Sequence, residues 1–170
     1  MPPLTAAHII ELLHLEPLPI EGGFFRRTYR AEEAIAKTAL PDRYPHAKYF
    51  GSAIYYLLDA ARFSALHRLL TDEVYHFYLG DPVEMLLLYP DGSSEVIPLG
   101  SDLEAGDQVQ FVAPRGTWQG ARLRAGGRFA LLGTTLAPAW DESDFELGRR
   151  DELIQQYTDR TELIQALTRQ

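Results

Sequence analysis

The chain reads as an all-β sandwich or barrel, and three features of the sequence point there. Strand-forming runs fill its middle, each closed by Gly, Pro or Asp. The run Glu73 to Leu79 alternates, with Glu73, Tyr75 and Phe77 on one face and Val74, His76 and Tyr78 on the other. Helical spacing is confined to the two ends, which leaves the middle to strands joined by short turns.

Thr5 can cap a first helix that carries Ile9, Ile10, Leu12 and Leu13 inward, and Pro17 and Pro19 end it. Gly22-Gly23 then allows a tight bend into a strand, where alternation puts Arg26, Thr28 and Arg30 on one face and Phe25, Arg27 and Tyr29 on the other. Ala31 to Lys48 is polar and punctuated by proline, a long loop with room for one helical turn. Tyr49 to Leu58 and Ala61 to Leu70 are strands joined at Asp59-Ala60, and Val83 to Tyr89 is a buried strand. Pro90-Asp91-Gly92 turns into Ser94 to Leu99. Gln108 to Ala113, Trp118 to Leu123 and Arg128 to Leu136 complete the strands. Residues 149–157 and 160–168 have helical spacing, and Asp159 with Glu162 forms a capping-box-like pair that could start the last helix.

A length of 170 residues suits one domain, with a core barrel over about residues 20–140 and helices over about 149–168 outside it. The formal net charge of -8 argues against a nucleic-acid surface, which would need a basic stripe, while a local basic pocket could still hold an anion. With no cysteine there is no disulfide and no thiolate ligand or nucleophile, which fits a reducing compartment. The N-terminal residues lack a secretion pattern, and no apolar run is long enough to cross a bilayer. The expectation is a soluble cytoplasmic protein with a small-molecule ligand.

The stretch His67 to Gly80 carries the chemistry. A carboxylate that shares a face with aromatic rings is expensive to bury without a partner or ligand, so Glu73 among Tyr75 and Phe77 suggests a pocket. His67 ends its strand six residues before Glu73 and is the side chain whose proton moves near neutrality. His8, His14 and His46 have no such partner, and His76 faces away from Glu73. Trp118 and Phe77 read as wall residues.

The same stretch resembles the first motif of the cupin superfamily. His67, Glu73 and Gly80 fit its spacing, with Leu69 where the second histidine would stand. Gly106, Pro114-Arg115-Gly116 and Gln119 are similar to the second motif, with Gln119 in place of its histidine. The strings IEGGFFRRTYR, SAIYYLL, FSALHRLLTDEVYHFYLGDP and DFELGRRDEL look like one small-cupin branch, similar in architecture to the dTDP-4-keto-6-deoxyglucose epimerases.

That resemblance implies a jelly-roll barrel and a homodimer. It also implies a sugar-like or anionic small molecule in the cup, and three alternatives stay open for what is done with it. In an isomerase or epimerase His67 would take a proton beside a carbonyl, Glu73 would orient the imidazole, and Tyr75 would return the proton. Arg26, Arg68 and Arg115 would hold a phosphate or carboxylate, and Tyr29 and Gln119 would contact the substrate. In a binding or sensing protein the same residues recognise a ligand without turnover. In a metal-dependent enzyme His67, Glu73 and the Gln119 carbonyl would hold a divalent ion, although Leu69 cannot donate.

Overall fold

The computed structural model describes residues 3–169. Helix α1 (Ala6–Leu13) starts at Thr5, whose hydroxyl accepts the His8 amide, and stops at His14, which turns left-handed. Thirteen strands follow in chain order: β1 (Glu16–Pro17), β2 (Phe24–Arg30), β3 (Ala34–Ile35), β4 (Lys48–Tyr49), β5 (Ser52–Asp59), β6 (Ser64–Arg68) and β7 (Glu73–Gly80), then β8 (Val83–Leu88), β9 (Ser94–Leu99), β10 (Gln110–Ala113), β11 (Trp118–Leu123), β12 (Phe129–Leu136) and β13 (Glu146–Leu147). Helices α2 (Arg150–Gln156) and α3 (Thr161–Ala166) close the described chain.

Two antiparallel sheets face each other. One has the order β1-β2-β5-β12-β7-β10 and the other β13-β6-β11-β8-β9, with β3 and β4 pairing separately. Sequence neighbours β6 and β7 lie in opposite sheets, so the turn between them crosses the sandwich and brings its two ends, His67 and Glu73, to one end of the interior. The core between the sheets holds Tyr56, Leu58, Tyr75, Phe77, Met85, Leu87 and Leu132. A second cluster joins Leu86, Leu88 and Trp118 to Leu153, Tyr157 and Ile164 of the C-terminal helices. Strand β8 is therefore buried on both faces from Met85 to Leu88, which is why that stretch reads as an unbroken apolar run. A third cluster packs Ile9 and Leu15 on Leu57, Phe129 and Leu131.

The mixed reading of the loop Ala31 to Lys48 is resolved into the β3–β4 pair and a 3-10 turn at Lys37–Ala39. Four expectations are corrected. Leu12 is 58% exposed, because an eight-residue helix lying on a sheet has one narrow buried stripe, centred on Ile9. The Asp159–Glu162 capping box does not form; a 3-10 turn at Thr158–Arg160 leads into α3 and Asp159 instead accepts the Ser94 hydroxyl. Trp118 faces the C-terminal helices, away from the space between the sheets. Strand β2 bulges at Thr28, which breaks the strict alternation read from its sequence. Among the described residues no helix is long and apolar enough to cross a membrane.

Candidate functional site

A cavity of about 530 Å³ opens between the sheets. Its sides are apolar, from Leu18, Phe25, Ile54 and Leu136, and Trp140, 47% exposed, stands where it meets solvent. The polar end is built from three places in the sequence. His67 points inward from β6, Glu73 is the first residue of β7, and Glu21 comes from the bend before β2.

Local geometry puts each there. Gly22 and Gly23 have φ of 111° and 73°, and a side chain on Gly22 would stand 2.2 Å from the Phe63 carbonyl oxygen. The chain can therefore pass close to β6. There the Glu21 carbonyl accepts the Ala65 amide at 2.8 Å and its Oε1 accepts the Ser64 hydroxyl at 2.7 Å. Glu21 is the residue that sequence reasoning missed. The glycine pair beside it was the available signal, since a backbone forced into close contact also fixes its neighbour's direction.

His67 is 1% exposed, with its Nδ1 donating to the Ala65 carbonyl at 2.8 Å. Its Nε2 then lies 3.9 Å from Glu73 Oε2 and 4.0 Å from Glu21 Oε2. Gln119 stands opposite His67 in the β6–β11 register and donates its amide to Glu73 Oε2 at 2.6 Å, with the same nitrogen 3.3 Å from His67 Nε2. The Tyr75 hydroxyl also donates to Glu73 Oε2, at 3.2 Å. The Phe145 ring stacks on the imidazole, centroids 5.1 Å apart, and its segment is pinned by the buried Lys48–Asp144 ion pair.

Burial alone would drive His67 toward its neutral form; the Glu21 and Glu73 carboxylates outweigh it and lift the imidazole pKa to about 9. The same burial, reinforced by Glu73 and opposed by His67, pushes the Glu21 carboxyl up. Burial and then Glu73 hold the Tyr75 hydroxyl well above the ordinary phenol range, and burial and then Glu21 do the same to Tyr56.

His67, Glu73, Gln119 and Tyr75 are therefore brought together, but the other expected site residues are not. Tyr75 is 2% exposed in the core and reaches the cavity only through Glu73. Arg68 points outward from β6, stacks on Trp118 and pairs with Glu146 at 2.7 Å, because alternation sends the neighbour of an inward His67 to the other face. Arg115 sits exposed at a turn, where only its backbone amide is engaged, by Asp72. Arg26 lies over the Tyr55 ring and does not line the cavity. Tyr29 is 57% exposed and does not line it either, since the Thr28 bulge separates it from Arg27. Arg27, given no role from the sequence, is the arginine that lines the cavity.

A metal fits this donor set poorly. Leu69 lines the cavity where a histidine would be needed, and Gln119 donates its amide N–H to Glu73 and does not turn its carbonyl toward that carboxylate. The Gln119 Oε1 is buried with no partner, and among the described residues no group of three His, Cys, Asp or Glu side chains, His67, Glu21 and Glu73 included, is arranged to hold a metal ion.

Two facing antiparallel sheets around an open cup, with a polar cluster at one end of it, define a cupin-class barrel. The chain belongs to the Cupin_5 family of the cupin superfamily (DUF985), which it matches over residues 7–148. A crystal structure of a protein from Shewanella oneidensis is 32% identical, covering 98% of this chain and 99% of that one with a TM-score of 0.86. A hypothetical protein from Leishmania major is 22% identical over 98% and 100% of the two chains, TM-score 0.87. Oxalate decarboxylase from Bacillus subtilis shares the fold at 12% identity, over 90% of this chain and 37% of that one, TM-score 0.53. No curated protein sequence matches the chain.

Proposed function

We propose that this chain binds a small polar molecule in the cup and moves a proton on it, as an isomerase or epimerase of a hydroxy or oxo compound. The observation that carries this is the His67–Glu21–Glu73 cluster: one imidazole between two carboxylates, all three lining a cavity that apolar walls otherwise shield. Because His67 rests protonated at neutral pH, it is placed to donate to a ligand oxygen as it develops charge. The accepting role passes to Glu21, whose burial makes it a stronger base than a solvated carboxylate. Tyr75 positions Glu73 and does not exchange protons with the ligand. The lack of cysteine supports a reducing setting, such as the cytoplasm, for this work.

Incubation of a panel of keto sugars and hydroxy ketones in deuterated water tests the proposal. Deuterium should enter the carbon beside the carbonyl with the wild type, and entry should fall at least a hundredfold with His67→Gln or Glu21→Gln. No exchange across the panel, with ligand nevertheless bound, supports the second reading, recognition without turnover. That reading draws on one specific observation: the hydroxyl expected to return the proton, Tyr75, does not reach the cavity.

A further inference from the structure

We infer that Lys48 positions the imidazole of His67, acting from outside the cavity through Asp144 and Phe145. The inference rests on the reading of His67 as the working group of the cup. It starts from a stretch of chain that stays out of the cavity: no described residue from 31 to 48 lines it. Three of those residues nevertheless reach the segments that hold the site together. The Arg43 Nε donates to the Leu70 carbonyl at 3.1 Å, and the Tyr44 and Thr71 hydroxyls are 2.8 Å apart. Leu70 and Thr71 form the turn between His67 and Glu73. Lys48 lies over the Tyr44 ring, 5.6 Å from its centroid, and makes its ion pair with Asp144.

Both ends of that pair are buried. A buried ion pair is a weak source of stability, because leaving water costs about what the attraction returns, and two apolar side chains pack as well. What it supplies instead is direction. Asp144 immediately precedes Phe145, whose extended backbone (φ -90°, ψ 129°) sends consecutive side chains to opposite sides. Asp144 turns to Lys48, and Phe145 turns to the imidazole. The flanks are fixed too. Glu146 and Leu147 pair with Arg68 and His67, while the Ala139 amide reaches the Tyr49 carbonyl at 2.9 Å and the Trp140 amide reaches the Ser52 hydroxyl at 3.0 Å. The Phe145 ring therefore rests within 19° of parallel to the imidazole and covers one of its faces. An imidazole that turned about its Cβ–Cγ bond would lose this stack and its Nδ1 bond to Ala65 together. The ring is left with the orientation in which Nε2 faces Glu21 and Glu73.

Proton NMR of the wild type and of a double variant, Lys48→Met with Asp144→Leu, tests the inference, since the apolar pair keeps the packing and removes the direction. In the wild type the His67 ring protons should show cross-peaks to the Phe145 ring. In the double variant, folded by circular dichroism, those cross-peaks should be lost. Deuterium entry into any keto compound that the wild type exchanges should fall at least tenfold. A folded double variant that keeps the cross-peaks, or the wild-type exchange rate, overturns the inference. So does a wild type without the cross-peaks, which decides the matter even if the variant does not fold. Cross-peaks that vanish in the variant while the wild type exchanges nothing uphold the positioning of His67 and overturn only the proton-transfer reading.

Discussion

The proton on His67 is held by an imbalance that can be titrated. Burial opposes it, and two carboxylates about 4 Å away oppose burial more strongly. The imidazole pKa is raised to about 9 in the folded chain, against about 6.5 when unfolded. The native state therefore binds the proton more tightly, and its contribution to stability is complete below the unfolded value. It is lost as pH rises through the folded one, at up to about 1.4 kcal/mol per pH unit within that window. Urea unfolding followed from slightly acidic to alkaline pH should show stability falling between about pH 6.5 and 9. His67→Gln should flatten that slope, and Glu21→Gln should draw the imidazole resonance, followed by NMR, back toward an ordinary midpoint. An unchanged slope in His67→Gln would mean that His67 is neutral in the native protein.

At the scale of the elements, β6, β11 and the turn into β7 place Leu69 and Gln119 where the cupin motifs that the sequence resembles have histidines. Leu69 lines the cavity just past the end of β6, and Gln119 on β11 faces His67 across the register. The cupin pattern places imidazoles at both positions, so Leu69→His with Gln119→His should restore three imidazoles beside Glu73. Zinc or manganese should then raise the unfolding free energy of the double variant, by about 2.7 kcal/mol at a hundredfold excess over its dissociation constant. Wild type should not respond. A double variant that folds and ignores both metals would mean that positions 67, 69, 73 and 119 do not converge on one ion.

This element scale is also where the sequence was most legible. The strands are readable from runs such as Met85–Leu88, whose unbroken apolarity follows from burial on both faces. His67 and Glu73 were readable because one short turn joins them across the sandwich. Glu21 was not, because its role depends on the glycine-enabled approach to β6, a contact between distant parts of the chain. Nor was the exchange of roles between Arg27 and Tyr29, since a single bulged residue reverses the face of everything after it and leaves no mark on the alternating pattern. Arg68 and Arg115 were drawn toward the site by nearness in sequence, which in a β-sheet is poor evidence of a shared face.

For the whole molecule, the question is what covers the outer face of the six-stranded sheet. Helix α1 packs on Leu57, Phe129 and Leu131 and leaves the β7–β10 side of that face open. There Tyr78 is 50% exposed and Val112 46% exposed, and β10, only four residues long, ends the sheet without a neighbour. Exposed apolar side chains beside an unpaired strand are a surface that natural proteins either cover or charge, and here Tyr78 and the Val74–Val112 pair flank the polar His76–Gln110 pair with no Lys, Arg, Asp or Glu among them. We propose that a second copy of the chain covers it, as the homodimer that the cupin resemblance implies. Light scattering coupled to size exclusion should give twice the chain mass. Tyr78→Glu with Val112→Glu should halve it and leave the circular-dichroism spectrum unchanged, because both side chains point away from the core. A monomeric wild type, or a dimer indifferent to both glutamates, would move the pairing surface elsewhere or remove it. Since Val74 and Glu73 are neighbours on β7 with opposite faces, a dimer built there would also brace the strand that presents Glu73 to the cup.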